Sequence, residues 1–263
     1  MNRNGARLKP TALIILSLVL AHRAIAVEVL EDVVEQRHSL APDGTLSIQN
    51  IDGSIQIYGG AASEISIKAI KKAYSRERLK EIKVEIRATP TAVAIKTIFA
   101  PKKGTLNLSD RSGTVKYIIT VPENIQITEL DLINGEILVE SLQGGSAHAR
   151  LINGLMTAHN CFGDLDFSIV NGRLEAVYDW WNKRKFLVKL SSANGNIRAV
   201  VPSDASASIT ARTVAGGIVT AFDKTKEIKH DVGQSLGFTT EPLPEASFKL
   251  NSVNGNIRIE KAY

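Results

Sequence analysis

A short motif recurs along this chain, and its regular spacing limits the fold more than any other feature of the sequence. Each copy centres on a glycine that follows Asn, Asp or Ala, with an apolar residue two positions before it and another two positions after it. The glycines are Gly53, Gly135, Gly154, Gly172, Gly195, Gly216 and Gly255. Asn-Gly between β-type segments is typical of a tight turn, since glycine adopts positive φ freely and asparagine tolerates it. The recurrence predicts an internal repeat of β structure in which these glycines are structural turn residues.

The distances between copies give the length of the repeating unit. From Gly135 onward the motif returns after 19, 18, 23, 21 and 39 residues, and the last step reads as two units or as one unit with a long insertion. Weaker turn signals at Gly144-Gly145 and Gly163-Asp164 lie between the first copies. The turns therefore leave room for strands of about five to six residues, which is a usual strand length.

Two all-β architectures fit this spacing. In a β-solenoid, each unit of about 20 residues is one coil, and apolar residues two positions after the glycines stack about 4.8 Å apart inside it. In an antiparallel β-sandwich or meander, each Asn-Gly is instead a two-residue hairpin turn. We favour the solenoid, because stacked coils require neighbouring units to share length and residue type. The antiparallel alternative stays open. The expected interior ladder is Ile137, Met156, Leu174, Ile197 and Ile257.

The N-terminus has the layout of a secretory signal peptide. A basic head precedes an apolar run over 11–21, and Ala24-Ile25-Ala26 follows as a small-residue cleavage site. The apolar run is shorter than the roughly 20 residues that a membrane-spanning helix needs. We therefore expect cleavage after Ala26 and a mature exported protein without a transmembrane segment, located in the periplasm, at the cell surface or outside the cell.

Loss of residues 1–26 would change the charge balance. The whole chain contains 32 Lys and Arg against 27 Asp and Glu, and four of the basic residues but none of the acids lie in 1–26. The mature chain would keep 28 basic and 27 acidic residues and be nearly neutral. The positive charge thus belongs largely to the leader, and we expect no nucleic-acid partner.

The rest of the chain divides into three sections. Residues 27–44 read as a lead-in segment, and 45–125 as an N-terminal β section with a short helix near 75–82, where Ser75 is a candidate helix cap. Residues 126–263 form the repeat section, continuous with the section before it. The length suits one large all-β domain or two small ones.

Several runs around the Asn-Gly pairs carry a resemblance to a known family. Together with the leader and the strand that ends in Val121-Pro122, they resemble the bacterial "putative adhesin" family, exported proteins of uncertain function built of repeated Gly-rich β units. The resemblance covers roughly 45–260 and implies a solenoid-like all-β fold at the cell envelope, with no catalytic residues. Ala215-Gly216-Gly217 departs from the Asn-Gly pattern. The runs are 131–135, 168–172, 192–197 and 252–257.

The titratable residues form no recognisable catalytic motif. Asp164 and Asp166 are the closest pair of acids near a turn, and we expect one in the turn and the other on a solvated face. His148, His159 and Cys161 supply at most three zinc ligands, so we interpret the histidines as surface or turn residues and Cys161 as a small buried hydrophobe. We expect no catalytic residues, no metal and no cofactor.

The segment from Tyr178 to Lys185 interrupts the repeat and contains both tryptophans. Exposed aromatic faces pack on sugar rings or partner side chains, and neighbouring cations bind acidic polymers or anionic lipid. The alternative, a commoner role, is that one tryptophan covers the side of the β structure. The candidate binding residues are Trp180, Trp181, Lys183, Arg184 and Lys185.

Three functions are compatible with these features. The first is a non-enzymatic, adhesin-like envelope protein that uses a rigid repeat scaffold for adhesion or protein contact. The second is a polysaccharide-binding or carbohydrate-active β-helix protein, and the third is an envelope-sensing partner of a membrane regulator. Exposed strand edges at the ends of the repeat would also allow weak self-association.

Overall fold

The computed structural model describes residues 28–101, 113–222, 226–229, 233–240 and 244–262. The expected signal peptide and the new N-terminus at Val27 lie outside this range. The described chain is all-β, with 72% of it in strands of a sheet that is not closed. Its one helix has six residues, and no helix in the described part of the chain could span a membrane.

The described residues of the N-terminal section form six strands and the helix. They are β1 (Leu30–Ser39), β2 (Thr45–Gly60), β3 (Glu64–Ala73), α1 (Arg76–Glu81), β4 (Lys83–Thr89), β5 (Ala92–Ile98) and β6 (Thr114–Pro122). The Ser75 side chain caps α1 by accepting a hydrogen bond from the Arg78 amide at 3.1 Å. The helix thus occupies most of the segment 75–82, and the chain re-enters a strand directly after it.

The repeat section consists of longer strands followed by shorter ones. They are β7 (Gln126–Glu140), β8 (Ser146–His159), β9 (Asp164–Val177), β10 (Phe186–Pro202), β11 (Ala207–Ala215), β12 (Ile218–Thr220), β13 (Lys226–Lys229), β14 (Gln234–Thr239), β15 (Ala246–Asn254) and β16 (Ile257–Ala262). The four long strands β7 to β10 have 14 to 17 residues, so one strand holds a whole motif with both of its apolar flanks.

These strands pair in parallel, with motif aligned on motif. Gly53 pairs with Gly135, Gly135 with Gly154, Gly154 with Gly172, and Gly172 with Gly195. The Asn-Gly pairs therefore lie inside parallel strands and are not hairpin turns between antiparallel ones. Positive φ is nevertheless present, with values from 133° to 159° at six of the seven motif glycines.

The C-terminal strands break the chain order. β15 and β16 pair in parallel with β10 on one side and with β11 and β12 on the other, so they lie between strands that are neighbours in the sequence. The 39-residue step before Gly255 is thus a long insertion, in which β14 pairs antiparallel with β11 and β13 with β14. We call the strands that carry the motif the central strands. Their order in the sheet is β2, β7, β8, β9, β10, β15–β16 and β11–β12.

The core is a ladder of apolar side chains shared by the central strands. The predicted ladder from Ile137 to Ile257 is confirmed: its five members are paired in register, and each is at most 1% exposed. At the N-terminal end, β6 pairs in parallel with β2, and β3 and β1 follow in antiparallel order. Antiparallel pairing thus begins beyond β6 at one end of the central strands and beside β11 at the other.

The residues before the motif glycines form a second ladder, which lies on the surface. Each asparagine amide donates a hydrogen bond to the side-chain oxygen of the residue before it in the sheet, over 2.7 to 3.1 Å. The row comprises Asp52, Asn134, Asn153, Asn171, Asn194 and Asn254. None of these asparagines has positive φ. The tolerance of asparagine for positive φ is therefore not the reason for its presence at these positions. The reason is the hydrogen bonding of its side chain across strands.

The orientation of this ladder gives a testable prediction. The Asp52 carboxylate only accepts hydrogen bonds, so Asn134 and all later amides point their Nδ2 toward it. Asn153→Asp removes the donor to Asn134 and faces two oxygens toward each other, which should lower the free energy of unfolding by about 1 kcal/mol. Asp52→Asn keeps an acceptor at the end of the row and should change the free energy of unfolding by less than about 0.5 kcal/mol.

Urea denaturation of both variants checks this prediction. The loss in Asn153→Asp should shrink at acidic pH, because a protonated carboxyl group can again donate to Asn134. Equal losses in the two variants at neutral pH would contradict a directional ladder.

Candidate binding surface at Trp180 and Trp181

The candidate site lies on the connection between β9 and β10. Residues 141–145 and 160–163 join the preceding strands, whereas residues 178–185 join β9 to β10, so this connection is longer. Tyr178 anchors it: the side chain is fully buried, and its hydroxyl donates a hydrogen bond to the Cys161 carbonyl at 2.8 Å. Burial raises the pKa of Tyr178 well above its ordinary value, which keeps the donor protonated.

Trp181 belongs to the core side of the connection. Its ring is partly buried in a cluster of aromatic side chains, with ring centroids 5.5 Å from Phe186, 5.8 Å from Tyr178, 6.2 Å from Phe162 and 6.4 Å from Phe248. The indole N–H is buried without an acceptor among the described residues. This tryptophan therefore covers the end of the core.

Trp180 points the other way. It is 47% exposed, although one face rests on Phe162 with ring centroids 4.4 Å apart and planes inclined by 45°. Contact with a buried ring holds the indole in place while its other face meets solvent. The two tryptophans thus occupy the two positions that the sequence left open, one covering and one exposed.

The three cations beside the tryptophans are all exposed. Arg184 donates a hydrogen bond from Nη1 to the backbone carbonyl of Gln143, which ties this connection to the one between β7 and β8. Lys183 and Lys185 form no ion pair with any described acidic residue in the structure. The basic charge beside Trp180 is therefore only partly engaged within the protein.

A shallow depression of about 430 Å³ borders this segment. The backbone of Gly144 and Gly145 lies at one side, and Phe162, Arg184 and Lys185 contribute side chains to it. Gln126, Ser146 and Asp164 also line it, so the depression is largely polar and carries charges of both signs.

The two aspartates that the sequence singled out are held by other contacts. Asp164 begins β9 and accepts a hydrogen bond from the Leu187 amide at 2.8 Å, so it fastens the start of β10. Asp166 lies 3.7 Å from the Lys189 ammonium on the neighbouring strand, on an exposed face. Asp164 is therefore the first residue of β9 and not part of the turn before it, whereas Asp166 has the predicted position on a solvated face.

Histidine and cysteine do not converge on a common centre. Cys161 is fully buried, and its thiol donates to the Val139 carbonyl at 3.3 Å. Burial raises the pKa of the Cys161 thiol to about 12, so it behaves as the small hydrophobe that the sequence indicated. Within the described ranges, no group of three or more His, Cys, Asp and Glu side chains is placed to hold a metal ion.

Sequence reasoning missed a row of contacting titratable side chains near the tryptophans. His159 lies between two carboxylates, with Nδ1 3.2 Å from Glu140 and Nε2 2.6 Å from Asp179. Asn160 also donates to the Asp179 carboxylate at 3.3 Å. Glu140 and His159 follow their glycines by five residues, so aligning the repeats could have identified this pair. Asp179 comes from the longer connection and had no such signal.

The pH dependence of stability can test the contact between His159 and Asp179. The hydrogen bond from His159 is the main cause that lowers the pKa of Asp179 below its ordinary value. The ionised form is therefore favoured in the folded state, and its stabilisation is present above the unfolded pKa of about 3.9 and is lost as pH falls through the folded value. At pH 5 we expect the free energy of unfolding of the wild type to be higher than that of Asp179→Asn by less than about 1 kcal/mol, because the pair of His159 and Asp179 is exposed.

The difference in free energy of unfolding between wild type and Asp179→Asn should vanish at strongly acidic pH. Urea denaturation at several pH values measures it, and Asp166→Asn provides a carboxylate control away from His159. A difference between wild type and Asp179→Asn that does not change with pH would contradict the assigned hydrogen bond.

Comparison with known proteins gives likeness in structure only. No family model matches the chain, and no curated protein matches it significantly. A putative cell adhesion protein from Clostridium sporogenes ATCC 15579 superposes with a TM-score of 0.52 at 14% identity, over 88% of this chain and 100% of that chain. A putative adhesin from Bacteroides fragilis NCTC 9343 superposes with a TM-score of 0.33 at 10% identity, over 87% of this chain and 97% of that chain.

A putative lipid binding protein from Parabacteroides distasonis ATCC 8503 gives a TM-score of 0.30 at 9% identity, over 88% of this chain and 97% of that chain. Only the first of these three superpositions exceeds 0.5, and at that identity the likeness concerns the fold. The chain is therefore similar in fold to the Clostridium protein over most of its length.

Proposed function

We propose that this chain is a non-enzymatic, exported, adhesin-like protein of the cell envelope. Its central strands form a stiff β-solenoid that presents the surface around Trp180 for adhesion or protein contact. The observation that carries the proposal is the exposed indole face of Trp180, which rests on a buried aromatic cluster beside three exposed cations. Because one fold serves many functions, the proposal rests on this surface rather than on the fold.

The connection lengths support a solenoid. β7 has 15 residues and would span roughly 50 Å if it were straight. Residues 141–145 bridge at most about 20 Å, yet β8 begins beside the start of β7, where Ser146 pairs with Gln126. A strand that must return toward its own start within one turn has the path of a solenoid coil. We infer that the coil bends at Asn134-Gly135, since Gly135 has φ of 134°.

The support under Trp180 favours recognition. An indole held by its neighbour loses little side-chain entropy when a ligand stacks on it, so its exposed area converts efficiently into binding. Exposed cations next to an aromatic face add attraction for acidic polymers or acidic protein surfaces. Tryptophan and arginine are also the side chains most enriched at binding hot spots.

The state of the polar side chains favours binding over catalysis. Asp164 is engaged by a backbone amide, Asp166 lies beside a lysine, and His159 lies between two carboxylates. Each of these contacts has a structural purpose on the surface of the sheet. A catalytic pair of carboxylates would instead be directed at a common space where substrate could bind.

The test compares Trp180→Ala with Trp181→Ala in the mature protein. Trp180→Ala should retain the melting temperature and lose at least tenfold in binding to isolated envelope fractions and to immobilised acidic polysaccharides. Trp181→Ala should lower the melting temperature, because its ring packs on the core. Tyr74→Ala is a matched control, since Tyr74 is also 47% exposed but lies after β3 in the N-terminal section.

Two outcomes would overturn the proposal. One is binding by Trp180→Ala that equals binding by wild type. The other is turnover of a polysaccharide that disappears in Asp164→Ala or Asp166→Ala, which would establish a carbohydrate-active enzyme. Crosslinking in cells that captures a membrane regulator through the Trp180 surface would identify the protein contact as envelope sensing.

A further inference from the structure

A row of exposed aliphatic side chains runs across the central strands, next to the asparagine ladder. It consists of the residues two positions before the motif glycines, and the paired residues on either side place them at equivalent positions on successive strands. We call this row the aliphatic stripe. In sheet order its members are Ile51, Ile133, Ile152, Val170, Ala193, Val253 and Val214.

The stripe is continuous and unusually exposed for its composition. Its six large members are between 37% and 49% exposed. Single exposed aliphatic residues are normal on protein surfaces, but seven in adjacent strands, about 4.8 Å apart, make an apolar band about 29 Å long. Contiguous apolar bands of this kind mark interaction surfaces.

The charges beside the stripe are distributed unequally along it. On β7 to β9, the outward positions four and six residues before the glycines carry three acids and one base, namely Glu129, Asp131, Asp166 and Arg150. On β10, β15 and β11 the same positions carry three bases, namely Lys189, Lys249 and Arg212. Within the chain, Arg150 already lies 3.2 Å from Asp131, and Lys189 lies 3.7 Å from Asp166. What differs along the stripe is therefore the net charge, with an excess of acids on β7 to β9 and of bases on β10, β15 and β11.

This asymmetry selects one arrangement of two copies. If two stripes face each other in antiparallel order about a two-fold axis, the acidic half of each copy lies over the basic half of the other. With the axis between β9 and β10, Asp131 faces Arg212 and Asp166 faces Lys189 of the other copy. A two-fold axis along the stripe would instead place the charged flanks of the two copies on opposite sides of the stripes, where they do not face each other.

The shape of the stripe agrees with the same axis. Ala193 is the one small residue in the stripe, and a mostly apolar depression of about 410 Å³ lies there, lined in part by Ile169, Val214 and Val253. In the antiparallel arrangement, Val170 of each copy faces the depression at Ala193 of the other. The larger side chains then meet in pairs, Ile152 with Val253 and Ile133 with Val214.

We propose that two copies of this chain associate through the aliphatic stripe, antiparallel and face to face, with Val170 of each copy seated at Ala193 of the other. The occupant of the stripe is a second copy because the chain supplies both the complementary charge and the complementary shape. This association is independent of the Trp180 surface.

Sedimentation velocity of the mature protein over a wide concentration range tests the proposal. The wild type should show a reversible monomer–dimer equilibrium. Ile152→Lys should weaken dimerisation at least tenfold, since it buries two charges near the axis. Val219→Lys is the matched control, because Val219 is 60% exposed but lies off the stripe in β12, and it should dimerise as the wild type does.

Charge exchange tests the antiparallel register. Asp131→Arg and Arg212→Asp should each weaken the dimer several-fold, and the double variant should recover wild-type affinity because each pair is restored with reversed sign. All of these side chains are on the surface, so melting temperatures of the variants should verify that folding is intact. A wild type that stays monomeric at every concentration, an unaffected Ile152→Lys dimer, or a double variant without recovery would each overturn the proposal.

Discussion

Gly154→Ala should lower the free energy of unfolding by about 3 kcal/mol or more, the largest effect expected from so small a change in this protein. Two physical causes act together. Gly154 has φ of 140°, a conformation that residues with a Cβ rarely adopt. In addition, a Cβ there would lie 1.8 Å from the carbonyl oxygen of Gly135 on the neighbouring strand. Backbone cannot yield as a side chain can, so the parallel pairing itself must open.

The same contact recurs along the central strands. A Cβ on Gly135 would lie 1.7 Å from the Gly53 oxygen, and one on Gly172 would lie 1.9 Å from the Gly154 oxygen. Gly60→Ala is the matched control, since Gly60 is also in a strand and no atom lies within 4 Å of the added carbon. Urea denaturation measures both variants. A loss in Gly154→Ala no greater than in Gly60→Ala would show that close approach of the strands does not determine stability.

Phe167→Ala is expected to cost about 3–5 kcal/mol. Phe167 is fully buried on the inner face of β9, where it pairs in register with Ala149 on β8 and Leu190 on β10. The phenyl ring is the largest side chain of these three, so its removal leaves a cavity that an alanine neighbour cannot fill. Loss of buried apolar surface and formation of the cavity both contribute to the expected cost.

A substitution on the outer face of the same strand provides the comparison. Arg173 is exposed, and its nearest acid is Glu175 at 3.7 Å on the surface. Arg173→Ala should therefore change the free energy of unfolding by less than about 0.5 kcal/mol. Similar losses in Phe167→Ala and Arg173→Ala would contradict the assignment of inner and outer faces on β9.

Part of the candidate site was predictable from residue type alone. Trp180 and Trp181 stood out because they interrupt a regular repeat, and a longer connection must project from the sheet. Which of the two is exposed could not be read from the sequence, since adjacent residues in an irregular segment have no fixed periodicity. The contact of Trp180 with Phe162 and the contact of Trp181 with Phe248 decide it, and both join residues far apart in the chain.

The reason for asparagine before each glycine was also misjudged from local propensity. Asn-Gly suggests a turn in isolation, because turn statistics describe four residues at a time. In this protein the amides hydrogen-bond to each other across strands, and the hairpin turns are not formed. A cross-strand interaction has no local signature other than its repetition, which the sequence did display.

The sequence by itself determined the all-β class and the recurrence of the motif, and it favoured the ladder from Ile137 to Ile257 and the alignment of motif on motif over an antiparallel alternative. These features follow from spacing, since side chains at equal intervals meet when successive strands pair in register. Only the tertiary structure decided the order of the strands. β15 lies between β10 and β11. The sequence could not predict this position, because a strand with the same apolar pattern fits between any two strands of its kind.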